Sequence, residues 1–265
     1  MTKKKSAKKI LGIVLLVVLI AVVALFTAYR IYTRDYYAAD TETIGEIADS
    51  IGGNVDVYTD NSGTVFIPSD HSARAVVVFY PGGKVEYISY SGLMYELADM
   101  GYICVIPRMR GNLAFLNVDA IDDIRKKYAD EMSLVGNLDW YLAGHSLGGV
   151  AAASYLADKA EHDAGDLVGG FRGLILCASY PAEDLSGTGL RFLSVLGSND
   201  GVINMKNYEA SRSKWPADST EEIIEGGIHS YFGCYGIQDG DGEPAITNLE
   251  QLDAAAAVID EWISQ

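Results

Sequence analysis

Cysteine is scarce in this sequence: Cys104, Cys177 and Cys234 are the only three in 265 residues. A small, odd number argues against a disulfide framework. Cys104 and Cys177 lie inside apolar runs, where a thiol behaves as a small hydrophobe. There is no Cys-x-x-Cys pair and no His/Cys cluster, so no metal site is expected. Histidine is nearly as rare, with four residues. No Gly-x-Gly-x-x-Gly follows the first strand-like run, which excludes a Rossmann-type phosphate loop. No acid precedes Asp35, although the chain carries 36 acids against 20 lysines and arginines, a net charge of −16. The remainder is therefore more acidic than the total suggests. It repels phosphate backbones, and nucleic acid is not an expected partner. Internal repeats and low-complexity tracts are also missing.

What the sequence does have is a long apolar run. Ile10 to Tyr29 is a stretch of 20 residues without a charge. As a helix it spans about 30 Å, the thickness of a bilayer's hydrocarbon core. Lys3, Lys4, Lys5, Lys8 and Lys9 precede it, and Tyr29, Tyr32, Tyr36 and Tyr37 follow at the position of an interfacial belt. The expected organisation is a cytoplasmic basic tail (1–9), a single transmembrane helix (10–29), an acidic, tyrosine-containing connector (30–50) with a short helix at Thr43–Ser50, and a domain (51–265) outside the cytoplasm. A cleaved signal peptide fits less well. Its apolar region is usually about 7–15 residues, and bulky Phe26 sits two places before the best small-residue exit, Ala28.

Beyond residue 50, β-branched runs alternate with helical patterns. Strands are expected at Val55–Tyr58, Thr64–Ile67, Ala75–Tyr80, Ile103–Ile106, Trp140–Gly144, Gly173–Ala178, Phe192–Gly197 and Glu222–Ile224. Helices are expected at Tyr87–Met100, Ala120–Tyr128, Gly148–Lys159, Met205–Lys214 and Leu249–Ile263. The inner strands are continuously apolar, as in a parallel sheet covered on both faces. The first two read as a hairpin turning at Asp60-Asn61-Ser62-Gly63. The fold class is α/β, with a mostly parallel sheet of about eight strands and helices on both faces.

Gly144-His145-Ser146-Leu147-Gly148 is a Gly-x-Ser-x-Gly motif between an apolar strand and an alanine-rich helix. That is the context of a nucleophile elbow, where a sharp turn presents a serine at a helix N-terminus. In such a fold the chain order is serine, acid, histidine. His71 precedes Ser146, His145 adjoins it, and His162 ends the helix that begins at the elbow, which leaves His229 as the base. Asp200 ends an apolar strand between them and is the expected acid, with Asp184 as the competitor. The oxyanion donors are expected to be the N–H of Leu147 and an N–H in Pro81-Gly82-Gly83-Lys84, at Gly83 or, alternatively, Lys84. Lys84 and Arg108 flank the expected opening and can hold an anionic group of a substrate, although Arg108 suits a structural salt bridge equally. Asp239-Gly-Asp241-Gly-Glu243 alternates acids like part of a calcium loop but lacks the remaining ligands, and an acidic surface turn is the simpler reading.

Five blocks, Val78-Phe-Tyr-Pro-Gly-Gly-Lys-Val85, Gly101-Tyr-Ile-Cys-Val-Ile-Pro-Arg108, the elbow, Gly197-Ser-Asn-Asp-Gly-Val202 and Ile224-Glu-Gly-Gly-Ile-His-Ser-Tyr-Phe-Gly233, carry a resemblance. From Val76 to Glu243 the chain resembles the α/β-hydrolase superfamily, and within it the small dienelactone-hydrolase-like branch. Dienelactone hydrolases proper use cysteine where this chain has Ser146, so their substrate is not implied. The resemblance implies a serine hydrolase that cleaves an ester, small or polymer-borne, through an acyl-enzyme and without a cofactor, and the apolar segment at 10–29 makes it a membrane-anchored one. A transacylase or peptidase acting on cell-envelope material, and a non-catalytic tethered binding module, are the alternatives. These motifs encode neither the substrate nor the oligomeric state.

Overall fold

The computed structural model describes residues 2–128, 137–161 and 167–265. The chain forms two compact units, Met1–Tyr36 and Tyr37–Gln265.

The first unit is one helix, α1 (Thr2–Arg34). It runs past Tyr29, the expected end of the apolar segment, because no glycine or proline occurs between Gly12 and Gly45. The Thr27 and Thr33 hydroxyls bond back to the carbonyls of Val23 and Tyr29 within the helix. Ile10–Arg34 is long and apolar enough to cross a membrane, and its apolar window is unburied.

The second unit begins inside the stretch expected to be a connector. Tyr37 forms a parallel bridge with Val85, and α2 (Thr41–Ile51) follows. The Asp40 carboxylate caps α2 by accepting from the N–H groups of Glu42 and Thr43, and Gly52 at φ 69° ends it. Ile47 and Ile51 are buried in the core. Residues 37–50 are thus part of the larger unit, because the helix there carries an apolar face that needs burial.

The strands are β1 (Val55–Thr59), β2 (Gly63–Pro68), β3 (Ala75–Tyr80), β4 (Tyr102–Pro107), β5 (Asp139–His145), β6 (Gly173–Cys177), β7 (Arg191–Gly197) and β8 (Asp218–Ile224). They form one sheet in the order β1-β2-β4-β3-β5-β6-β7-β8. β1 and β2 make the expected hairpin and β2 runs antiparallel to β4, whereas every pair from β4 through β3 to β8 is parallel. The remaining α-helices among the described residues are α3 (Ser91–Asp99), α4 (Ala120–Lys127), α5 (Leu147–Ala160), α6 (Met205–Ser211) and α7 (Asn248–Ser264).

Alternate residues of each inner strand serve opposite cores. Val77 and Phe79 pack with Leu93 and Leu97 of α3 and Leu252 and Ile259 of α7. Val76, Val78 and Tyr80 pack with Ile121 and Ile124 of α4 and Ala152 and Leu156 of α5. Both faces being dry explains why these strands are apolar throughout.

Three elements differ from the sequence expectation. Met205–Lys214 is α6 followed by a 3-10 turn (Arg212–Lys214). Tyr87–Met100 is a 3-10 turn (Tyr87–Tyr90) followed by α3, because Tyr90 leaves helical geometry at ψ 3°. β8 starts four residues before Glu222. As an edge strand it has one neighbour, so polar and acidic side chains are tolerated and the apolar signal fades.

Candidate active site

The parallel strands β3, β5, β6, β7 and β8 all point one way, so the loops after them gather at one edge. Ser146 follows β5 there, at φ 51° and ψ −125°. A residue with a Cβ rarely adopts a positive φ, and such strain marks functional turns. The turn depends on close backbone approach. A Cβ on Gly148 would lie 2.2 Å from the carbonyl oxygens of Tyr80 and Pro81, and one on Gly144 2.7 Å from Gly149 N. The Ser146 N–H donates to the Cys177 carbonyl at the end of β6, and its carbonyl accepts from Ser179 Oγ at 2.7 Å. The side chain is half-buried.

His229 lies in the loop after β8, and its Nδ1 is 2.8 Å from Asp200 Oδ2. Both side chains are 2% exposed, so the pair is closed to bulk water. Asp200, in the turn after β7, also accepts from the N–H groups of Val202 and Ile203 at 2.8 Å on Oδ1. A carboxylate with these acceptor duties fixes the imidazole with its proton on Nδ1. That leaves Nε2 as an acceptor, and it is buried with no partner among the described residues. Asp184, the competing acid, is exposed and accepts from the N–H and Oγ of Ser186. His162 lies outside the described residues.

His145, read from the sequence only as a neighbour of the serine, is fully buried beside His229, with ring centroids 4.6 Å apart. Its Nε2 is 3.0 Å from the His229 carbonyl oxygen, and its Nδ1 is 2.8 Å from the Tyr90 hydroxyl. That hydroxyl accepts from Gly82 N–H at 3.0 Å. One assignment satisfies all three contacts: Gly82 N–H donates to Tyr90, Tyr90 O–H donates to Nδ1, and Nε2–H donates to the His229 carbonyl. The imidazole is neutral in that assignment. Burial, followed by proximity to His229, holds its pKa well below the ordinary 6.5.

Gly83 abuts the elbow. A Cβ there would lie 2.6 Å from Leu147 Cδ1. The N–H groups of Gly83 and Leu147 make no hydrogen bond among the described residues. Lys84 N–H, the alternative donor, is committed to the Asn112 carbonyl at 2.8 Å. Arg108 is exposed, with its guanidinium 5.9 Å from the Tyr87 ring and in no ion pair among the described residues. Burial pushes the Cys177 and Cys234 thiols up to about 12 and Cys104 further still, so none is poised as a nucleophile.

Asp241 is the residue whose place the sequence did not reveal. Its Oδ1 accepts from the N–H groups of His229 (3.2 Å), Gly201 (3.2 Å) and Gly242 (2.8 Å). Its Oδ2 accepts from Ser230 N–H (2.7 Å) and Oγ (2.5 Å). Burial opposes its ionisation, but the Ser230, Gly242 and Gly201 hydrogen bonds outweigh that and hold its pKa below the usual carboxylate value. Its neighbours Asp239 and Glu243 are not drawn into an acidic cluster, and no group of three or more His, Cys, Asp or Glu suited to a metal occurs among the described residues.

A cavity of about 460 Å³, lined by Tyr58, Val65, Val76, Ile103 and Trp140 among others, opens near the other end of the sheet. Trp140 lies near the start of β5, six residues before Ser146 just past its far end, which is about 20 Å of extended chain. This cavity is separate from the elbow.

A strand-to-helix elbow bearing a serine, with an Asp-paired histidine packed against the elbow's His145 at the carboxyl edge of a mostly parallel sheet, defines the α/β-hydrolase class of architecture. The profile of the family described as "Alpha/beta hydrolase family" matches residues 76–253, and the chain belongs to that family. The match reaches the family and not the dienelactone-hydrolase-like branch within it. A search of curated proteins finds no match to the chain.

Proposed function

We propose that the protein is a membrane-anchored serine hydrolase that cleaves carboxylic esters, with Ser146 as nucleophile, His229 as general base and Asp200 as the acid that orients it. The observation that carries this reading is His229 itself. Its Nδ1 is held by Asp200, while its Nε2 is buried and unpartnered. An unsatisfied buried acceptor costs about 1–3 kcal/mol, and it is kept where a proton is to be received.

In the first step, Ser146 Oγ attacks the ester carbonyl carbon and passes its proton to His229 Nε2. The carbonyl π pair moves to oxygen, where the N–H groups of Gly83 and Leu147 stabilise it. As the oxyanion collapses, the alkoxide leaves and takes the proton from His229, and an ester on Ser146 remains. Water then repeats the sequence, with His229 accepting its proton and returning it to Ser146 as the carboxylic acid departs. Lys84 and Arg108 are proposed only as flanking contacts for an anionic portion of the substrate. The apolar α1 and its lysine-rich start support a single-pass anchor with the catalytic unit on the far side from the cytoplasm.

The test is kcat/KM on one activated ester, with circular dichroism as a folding control. Ser146→Ala and His229→Ala should each lose about 10⁴-fold or more, and their combination should be scarcely worse than either, because triad members act as a unit. Asp200→Asn should lose somewhat less through the wrong imidazole tautomer, and Asp184→Asn should be nearly silent. A folded Ser146→Ala protein that keeps most of its activity would overturn the reading.

A further inference from the structure

We propose that Asp241 is a positioning residue that holds the base loop and the acid loop of the site in register, so that His229 and Asp200 meet in the geometry the reaction needs. The inference rests on the Ser146–His229–Asp200 reading. Asp200 and His229 lie on separate loops, after β7 and β8, and a hydrogen bond between two loop residues holds only if the loops themselves are fixed. Asp241, on a third loop, reaches both. Its Oδ1 takes the main-chain N–H of Gly201, next to the acid, and that of His229, the base. Its Oδ2 takes both donors of Ser230.

The third loop is also seated directly on the acid loop. A Cβ on Gly201 would meet the Gly240 carbonyl oxygen at 2.7 Å, one on Gly242 would meet the Asn199 carbonyl oxygen at 1.8 Å, and Asn199 Nδ2 donates to the Glu243 carbonyl at 2.9 Å. Glycines at 201 and 242 are what allow the two backbones to touch. The five donors on Asp241 fill the roughly four acceptor sites of a carboxylate. No capacity remains on this carboxylate for a cation. A neutral amide cannot replace the carboxylate, because its NH₂ would face the Ser230 donors.

The experiment uses the full chain in detergent micelles, with p-nitrophenyl acetate and a fluorophosphonate probe. Wild type should label at Ser146. Asp241→Asn should lower kcat about 30- to 100-fold with KM within about threefold, the scale of a displacement near 1 Å at a reacting group. It should also move the acid-side midpoint of the kcat/KM profile downward. The titratable groups around His229 are Asp200, Asp241, His145 and Tyr235, and removing one negative charge among them makes the imidazolium less favourable. A role confined to global stability would lower Tm and leave that midpoint in place. Ser230→Ala, which removes one donor and leaves the charged carboxylate, should lower kcat about three- to tenfold with the midpoint unmoved, and its kcat decides the matter if Asp241→Asn does not fold. Asp239→Asn, on the same loop but exposed, should match wild type. Absence of wild-type labelling overturns the triad reading, and this inference with it. Wild-type labelling combined with wild-type kcat and midpoint in folded Asp241→Asn, or with wild-type kcat in Ser230→Ala where that variant alone folds, overturns this inference and leaves the triad standing.

Discussion

Ser146, Asp200 and His229 could be singled out in the sequence as candidates because each sits in a local pattern: a glycine-framed serine between strand and helix, and a carboxylate and a histidine just past strand-like runs. His145 and Asp241 could not, because what they do depends on loops far apart in the chain arriving at one place. His145 in particular reads as the variable position of the elbow, yet its ring joins the loop after β3, through Tyr90 and Gly82, to the main chain of His229. Burial keeps that imidazole neutral, and this has a thermodynamic consequence. A histidine whose folded pKa lies below its unfolded value near 6.5 adds no penalty above that pH. Below it the unfolded chain binds a proton that the folded one refuses, and stability is lost as pH falls toward the folded pKa. The unfolding free energy of wild type should therefore drop below pH 6.5 with an extra slope approaching 1.4 kcal/mol per pH unit, about one proton. His145→Gln, whose amide can accept from Tyr90 and donate to the His229 carbonyl, should lack that component. Denaturant unfolding of both proteins between pH 5 and 8 measures the difference, and parallel curves would show that His145 titrates normally in the fold.

At the level of elements, periodicity located every strand, because seven of the eight carry apolar side chains on at least one face along much of their length. It shortened β8, whose polar residues are permitted by its place at the sheet edge, and it merged the 3-10 turn with α3, since both share one apolar stripe. The assignment that matters most is α2. From sequence it is a short helix in a connector; in the fold its buried Ile47 reaches α3, where a Cβ added at Gly92 would lie 2.8 Å from Ile47 Cδ1 and 3.1 Å from Leu252 Cδ1 of α7. A helix that only linked an anchor to a domain would tolerate truncation there. Ile47→Ala should instead cost about 2–5 kcal/mol, the range for emptying a buried branched side chain. For a unit of this size each kcal/mol lowers Tm by about 2–4 °C. Differential scanning calorimetry should therefore show a fall of at least about 4 °C, with kcat/KM little changed well below the transition. An unaltered Tm would return α2 to the connector.

For the whole molecule, the two units have opposite relations to water, and the chain's charge is distributed accordingly. Five lysines crowd the residues before the apolar span while the acids all follow it, and the proposed orientation rests on that asymmetry. The buried cysteines provide a clean test of this orientation. Cys104, Cys177 and Cys234 are at most 1% exposed, and burial raises their pKa values, so a maleimide should leave the folded wild-type chain unlabelled. Ser213→Cys places one thiol at an exposed position on the link between α6 and β8. With the catalytic unit outside the cytoplasm, a membrane-impermeant maleimide added to intact cells should label that variant fully. Labelling that appears only after permeabilisation would reverse the topology. The same gel separates an anchor from a cleaved leader. An anchored chain stays with the membrane pellet in high salt at the mass of all 265 residues, because about 25 apolar residues held in lipid are not displaced by ionic strength. A cleaved chain appears in the medium or wash, shortened by α1, and in that case the catalytic unit would act untethered on soluble esters.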